Sequence, residues 1–440
     1  MRGRVSTAST LQRLGVRAVG RLGGLRALAD PERRRSVEGL LRRGAQAGYS
    51  AQVAAGRAFV KRRGNGDPAR LSAAPRGGVF DLTPTEDQAM LRDAAAAFAD
   101  GVLREAGREA DDSRGIPAAV AEAAAELGLT LIGVPAALDG IAEEASAVTG
   151  ALVLEELARG DLSLAVAIMG TASVATAIAL YGSADQQATY LPHFTGEAPV
   201  RAAALALQEP QPLFDPLAPR TVAVRDGEHL VLDGTKALVA RAVDAELFVV
   251  SALLDGEARL VIVEASSTGL MVEDDPAMGL RAAHTGRLRL ESVRVPAGNL
   301  LGSAADHVDA IRRSRLAWAA LAVGTSQAVL DQVRGYVVER TAFGEPIGHR
   351  QAVAFTVADI AIELDGLRLA TWRAAARLDA GKDAAEEVAV ARELTRTYAV
   401  QIGSHAVQLL GGHGFVKEFD NERWYRDLRA TGALEGMVLI

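Results

Sequence analysis

The 440-residue chain contains no cysteine, which removes disulfides, thiolate metal sites and cysteine nucleophiles from consideration. Its seven histidines are scattered, with neither H-x-x-x-H nor H-E-x-x-H spacing, so no metal site is expected. Aromatic residues make up only 4% of the chain. They do not interleave with its basic clusters, and nucleic acid is not an expected partner. No G-x-G-x-x-G follows a strand and no G-x-x-x-x-G-K-[ST] occurs, so Rossmann and P-loop nucleotide sites have no support. One uncharged run, Leu162 to Ala184, is long enough to cross a bilayer. Its glycines (Gly170, Gly182), its Ser and Thr residues, and the absence of flanking basic residues point to a buried helix instead.

Charge is abundant but uneven. Residues 1–64 hold fifteen Lys/Arg against three Asp/Glu, a net of +12 in a chain of −7, which leaves −19 on the remainder. Leu11, Leu14, Ala18, Leu22 and Leu25 share one helical face there, while Arg13, Arg17 and Arg21 line another. Three readings stay open: a surface that meets an anionic membrane or a partner, an Arg-rich organellar transit sequence, or a plain extension. The expected location is the cytoplasm, with peripheral membrane contact through residues 1–64, and the mitochondrial matrix is the alternative. Gly64 to Gly78 reads as a linker.

Beyond the linker the pattern is helical, then β, then helical. Thr83 followed by Glu86 reads as a capping box at a helix start. Val222 and Val224, Leu230 and Leu232, and Leu288, Leu290, Val293 and Val295 predict half-buried strands. Asp226-Gly227 and Asp255-Gly256 sit between such runs as hairpin turns. Val353, Val357, Ile360, Leu364 and Leu367 recur at helical spacing, opposite Asp359 and Glu363. The expected domains are 1–78 (basic extension and linker), 79–203 (helical), 204–304 (antiparallel β) and 305–440 (helical bundle).

The most specific pattern lies near the C-terminus. It runs Gln408-Leu-Leu-Gly411-Gly412-His-Gly414-Phe415, then Glu418, Arg423-Trp-Tyr-Arg426-Asp427 and Leu434-Glu435-Gly436. A glycine pair admits close approach of a ligand to the backbone, although alone it reads as a helix cap or loop. Taken together and in register, these elements resemble the C-terminal signature of the acyl-CoA dehydrogenases. That family introduces a double bond between Cα and Cβ of acyl-CoA thioesters. A second motif, Arg340-Thr-Ala-Phe343-Gly344-Glu-Pro346-Ile347 with Gln351, is similar to the family's R-x-x-F-G-x-P-[IL] element.

The resemblance covers about four fifths of the chain and carries expectations with it. It implies a mainly α fold with a β domain: an N-terminal helical domain, a middle antiparallel β domain and a C-terminal four-helix bundle. It implies FAD as cofactor, an acyl-CoA as substrate and an electron-transfer flavoprotein as electron acceptor. Glu435 falls where most relatives keep the base that removes the α-proton, a task suited to a carboxylate in a nearly dry pocket. Arg315 matches an arginine kept near the substrate. Ser314 stands where some relatives place the base instead, which leaves Glu435 as the candidate. Arg340, Phe343 and Gln351 correspond to contacts with the pyrophosphate and adenine half of FAD held mainly by a neighbouring subunit. Gln408, Gly411, Gly412 and Gln208 are further cofactor candidates. The helix containing Glu155 and Glu156 looks like the floor of the acyl pocket. A homotetramer, a homodimer or a heteromer with a paralogue is implied.

The middle domain departs from the family pattern. Where relatives read T-E-P-G-x-G-S-D, this chain has Gln208-Glu209-Pro210-Gln211-Pro212-Leu213-Phe214-Asp215. Leu238 stands in place of an aromatic ring on the flavin, and Ala240 in place of a hydroxyl near flavin N5. Met437 replaces the usual Thr after Glu-Gly, and the chain reaches Ile440 without the family's closing helix. Two alternatives therefore stand beside a working dehydrogenase. One is a subunit of a heteromeric enzyme that binds little flavin alone. The other is a cofactor-free scaffold with a basic arm.

Overall fold

The computed structural model describes residues 83–141, 143, 145–195 and 202–440. The basic segment, its linker and the Gly196-Glu197 pair lie outside these residues.

The first layer is helical: α1 (Glu86–Phe98), α2 (Arg104–Ser113), α3 (Ala118–Glu126), α4 (Ala147–Gly160), α5 (Leu162–Tyr181), α6 (Ala184–Tyr190) and α7 (Pro192–Thr195). The cap of α1 is Thr85 with Gln88, two residues later than the expected Thr83 and Glu86. Gln88 serves twice, which favours this register. Its amide oxygen accepts from the Thr85 N–H at 3.0 Å, and its Nε2 donates to Thr149 of α4 at 3.3 Å. Helix α5 starts at Asp161, whose Oδ1 accepts from the Leu164 N–H at 2.9 Å. Leu162 through Ile178 are all buried, so the long apolar run is a core helix.

The second layer is one sheet of β1 (Ala203–Ala206), β2 (Val222–Asp226), β3 (His229–Val239), β4 (Leu247–Leu254), β5 (Glu257–Glu264), β6 (Leu270–Asp274), β7 (Gly286–Pro296) and β8 (Leu300–Leu301). The two hairpins form as expected. Gly227 has φ +60° between β2 and β3, and Asp255 and Gly256 have φ +54° and +86° between β4 and β5. The sheet is mixed, not wholly antiparallel. β1 and β2 both lie parallel to β4, one near each end of it, because each reaches β4 by a crossover instead of a tight turn. The alternation of β2 also points the other way. Val222 and Val224 are exposed and Ala223 is buried, since Ala223 pairs with the fully buried Leu232 of β3.

The third layer is a bundle of α8 (Ala304–Glu339), α9 (Gln351–Asp379), α10 (Ala385–Leu394), α11 (Val400–Leu410) and α12 (Asn421–Thr431). A π turn, Thr395–Ala399, joins α10 to α11. Between α8 and α9 lies a small hairpin of β9 (Thr341–Ala342) and β10 (Glu345–Pro346). Helix α8 lies tightly on α4: a Cβ at Gly324 would stand 1.9 Å from the Glu155 carbonyl, so only glycine fits there.

The R-x-x-R-D stretch of α12 joins all three layers. Arg426 forks onto Asp111 of α2 at 2.9 and 2.8 Å and reaches the Met278 carbonyl at 3.2 Å. Arg423 pairs with Asp161 at 3.0 Å, and Asp427 accepts the Leu280 N–H at 2.6 Å. Burial pushes the Asp427 carboxyl up, and the Asp161 charge adds to this against the Leu280 N–H and the two guanidiniums, leaving it at about 7. Because that folded value exceeds the ordinary aspartate value of about 4, the fold favours the protonated form. Its contribution is complete at acid pH and is lost as pH rises from about 4 to about 7. Asp427→Asn, which stays neutral, should therefore gain urea stability relative to the parent across that window. A difference that does not change with pH would contradict the assignment.

Candidate active site at the junction of the three layers

Glu435 sits on the turn after α12 and is only 8% exposed. Arg315 of α8 brings Nε to its two oxygens at 3.2 and 3.0 Å and Nη2 to Oε1 at 3.1 Å. Arg392 of α10 reaches Oε1 at 3.1 Å. The same guanidinium donates to the Thr431 and Leu434 carbonyls at 2.6 and 2.9 Å, so it holds the turn as well as the carboxylate. The Glu435 N–H donates to the Gln208 side-chain oxygen at 3.0 Å. Glu435, Arg315 and Gln208, far apart in sequence, are thus brought together. Arg392 was missed by the sequence reading. Its only signal was a charge four residues after Val388 and three before Thr395, both of which are buried.

Past Glu435 the backbone turns inward. Gly436 and Met437 have φ +77° and +69°. The Gly436 carbonyl accepts from Trp318 Nε1 at 2.9 Å and from Ser314 Oγ at 3.2 Å, so Ser314 is engaged with this turn. Met437, Val438, Leu439 and Ile440 are all buried. Leu439 donates its N–H to Ser173 Oγ at 2.8 Å, and the Ile440 carbonyl accepts from Arg313 at 3.0 Å.

The β-domain residues nearest this turn form a closed polar set. Lys236, fully buried, pairs with Glu209 at 2.8 Å and donates to Ser251 at 3.0 Å. Burial alone pushes the Glu209 carboxyl up. The Lys236 ammonium, the Gln211 amide and the Thr221 N–H outweigh that and bring it to about 2. Leu238 gives its N–H to Asp275 at 3.1 Å, and Ala240 is buried with no side-chain donor.

A second group lies at the surface. Arg340, Phe343, Gln351, Gln408, Gly411 and Gly412 are all exposed, Phe343 to 90%. Arg350 stands over the Phe343 ring at 5.0 Å. Gly411, at φ +59° and ψ −131°, adopts a backbone that other residues resist, and a Cβ there would meet open space. Tyr336 ties the two motifs together, its hydroxyl 3.2 Å from His413 Nδ1 and 3.5 Å from the Leu410 carbonyl. Among the described residues, cavities of about 280 and 430 Å3 lie elsewhere: Arg281 and His284 help line the first, Tyr190 and His193 the second.

A three-layer helix–sheet–helix fold with a buried carboxylate at the layer junction is the architecture of a class of oxidoreductases acting on CH–CH bonds. Residues 85–197, 204–293 and 307–438 match the N-terminal, middle and C-terminal domains of acyl-CoA dehydrogenase. The chain belongs to the acyl-CoA dehydrogenase family, whose members are FAD-dependent. It is 33% identical over 362 residues to the bovine (Bos taurus) mitochondrial short-chain specific acyl-CoA dehydrogenase, covering 80% of this chain and 87% of that one. It is likewise 33% identical over 363 residues to cyclohex-1-ene-1-carbonyl-CoA dehydrogenase of Geobacter metallireducens, covering 80% and 95%. Among solved structures it resembles butyryl-CoA dehydrogenase from Megasphaera elsdenii in fold, with TM-score 0.73, 24% identity and coverage of 80% and 95%. A structure reported as the electron transferring flavoprotein of Acidaminococcus fermentans matches at TM-score 0.74 and 28% identity, covering 80% and 95%.

The residues that would meet the two ends of FAD differ in character. The exposed arginine, amides and glycine pair suit a phosphate-linked adenosine end. On the ring side, Ala240 has no side-chain donor, Leu238 has given its N–H to Asp275, and the Gln208 amide oxygen accepts from Glu435, which leaves the Ala240 backbone N–H and the Gln208 amide nitrogen as donors. A Cβ on Gly170 of α5 would lie 3.6 Å from the Met437 carbonyl and 3.7 Å from Ala240, ordinary contact distances, so α5, Ala240 and the turn after Glu435 lie side by side there. The Lys236–Glu209 pair can be tested directly. Glu209→Ala leaves a buried ammonium without its carboxylate and should cost about 3–5 kcal/mol in urea unfolding. An unchanged midpoint would show the pair to be dispensable.

Proposed function

We propose that this chain serves α,β-dehydrogenation of an acyl-CoA thioester, with Glu435 as the group that takes the α-proton. The observation that carries this is the placement of Glu435: a buried carboxylate at the junction of the three layers, paired with the partly exposed Arg315. Its side chain is 10% exposed and that of Arg315 26%. A base must come within hydrogen-bond reach of the proton it removes. Among the described residues, Arg315 and Arg392 make the hydrogen bonds to the carboxylate oxygens, so proton transfer requires one guanidinium to yield an oxygen. Arg392 is the better anchor, because its two carbonyl contacts keep it on the turn. The Glu435 N–H, now on Gln208, is the amide available to polarise a thioester carbonyl once that contact opens. An electron-transfer flavoprotein is the expected recipient of the reducing equivalents.

A second reading is favoured by Leu238 and Ala240, which offer no polar side chain on the flavin-ring side. Here the chain is one subunit of a heteromeric dehydrogenase and lends the Arg340, Phe343 and Gln351 edge to a flavin seated mainly on a paralogue. The mitochondrial relatives leave the matrix open as a location.

The test is the visible spectrum of the chain with FAD, before and after acyl-CoA under anaerobic conditions. Bleaching is expected for the parent and should fall by at least about 100-fold in rate for Glu435→Gln, the scale of losing a general base. Full activity in that variant would exclude Glu435 as the base. Flavin retention and bleaching only on co-expression with a paralogue would select the second reading.

A further inference from the structure

We infer that Val438, Leu439 and Ile440 close the inner end of the acyl channel and restrict this centre to thioesters of short acyl groups. This rests on the dehydrogenation reading, because it takes the Glu435 carboxylate as the point where the substrate's α-carbon must sit. From that point an acyl chain needs an apolar path. The two guanidiniums occupy the polar side of the carboxylate. The apolar residues that follow Glu435 pack among α4, α5 and α8. Met437 and Val438 share a packed cluster with Leu154, Ala165, Met169 and Leu316. Leu439 packs in the adjoining cluster with Val174 and Leu205.

The segment is built in, not merely resting there. Its backbone is pinned at Gly436 by Trp318 and Ser314, at Leu439 by Ser173 and at Ile440 by Arg313. The floor helix has made room for it. A Cβ at Gly150 of α4 would stand 2.8 Å from the Ile440 side chain, so the missing side chain there is what admits Ile440. Val438, Leu439 and Ile440 are 0%, 2% and 7% exposed. A channel that stays open gains about fourfold in affinity for each methylene it buries. A channel closed at this level gains nothing from methylenes beyond its end.

The experiment is calorimetric binding of butanoyl-CoA, octanoyl-CoA and free CoA to the full chain with FAD. It compares the parent with Val438→Ala/Ile440→Ala, and with Ile440→Ala alone should the double variant fail to fold. The parent should bind octanoyl-CoA no tighter than butanoyl-CoA. The variants should bind octanoyl-CoA at least about tenfold tighter than the parent does, with butanoyl-CoA and free CoA unchanged. A parent that already favours octanoyl-CoA by tenfold, or variants with the parental profile, would overturn the proposal. Length-graded binding without any flavin bleaching would keep the closed channel and sink the dehydrogenation reading. No acyl-CoA binding by any chain would overturn both.

Discussion

The Arg426–Asp111 fork is the contact on which the rest of this molecule depends. It joins the last helix of the bundle to the first helical layer across 315 residues of sequence, and the same guanidinium touches the β domain at Met278. With Arg423 on Asp161 and Asp427 on the Leu280 N–H, buried charges from three layers meet at one helix. Such groups are costly to desolvate and tolerate no missing partner, so the cluster fixes how the layers dock. It also fixes α12, and the turn that follows α12 carries Glu435.

Function at Glu435 depends on a contest between holding and releasing. Two guanidiniums and the Gln208 amide hold the residue firmly, and firm placement favours a defined approach of substrate. The same contacts occupy the lone pairs and the N–H that chemistry requires. Arg315 is the more exposed of the two cations and makes no second contact to the turn, so it is the natural one to shift when a thioester arrives. The tail beyond Gly436 adds a second constraint, because its apolar side chains are buried in the cores next to Glu435.

The sequence made the family and layer order legible because its motifs are local and in register. The glycine pair at Gly411, the Phe343 turn and Glu435 could each be read within a few residues. What it hid was long-range. The partners of Arg423 and Arg426 lie in α2 and at the head of α5, so a signature stretch gave no hint that it is a clamp. Arg392 was invisible because a lone arginine in a helix is ordinarily a solvated charge. The strand alternation at Val222 and Val224 was detected but its face was not, because register against Leu232 decides which side is buried. The cap on α1 moved to Thr85 because Gln88 had a partner, Thr149, that only the tertiary structure supplies. Leu238 and Ala240 depart from the family pattern in sequence, and only the fold shows that the Leu238 N–H is given to Asp275.

The central claim is that Glu435 removes a proton from the α-carbon of an acyl-CoA. The most direct measurement is exchange of the α-hydrogens of butanoyl-CoA in deuterium oxide by the chain with FAD, followed by NMR. The account predicts deuterium at Cα with the parent and none above the solvent rate with Glu435→Gln. Butanoyl-CoA that binds the parent but keeps both α-hydrogens would contradict it.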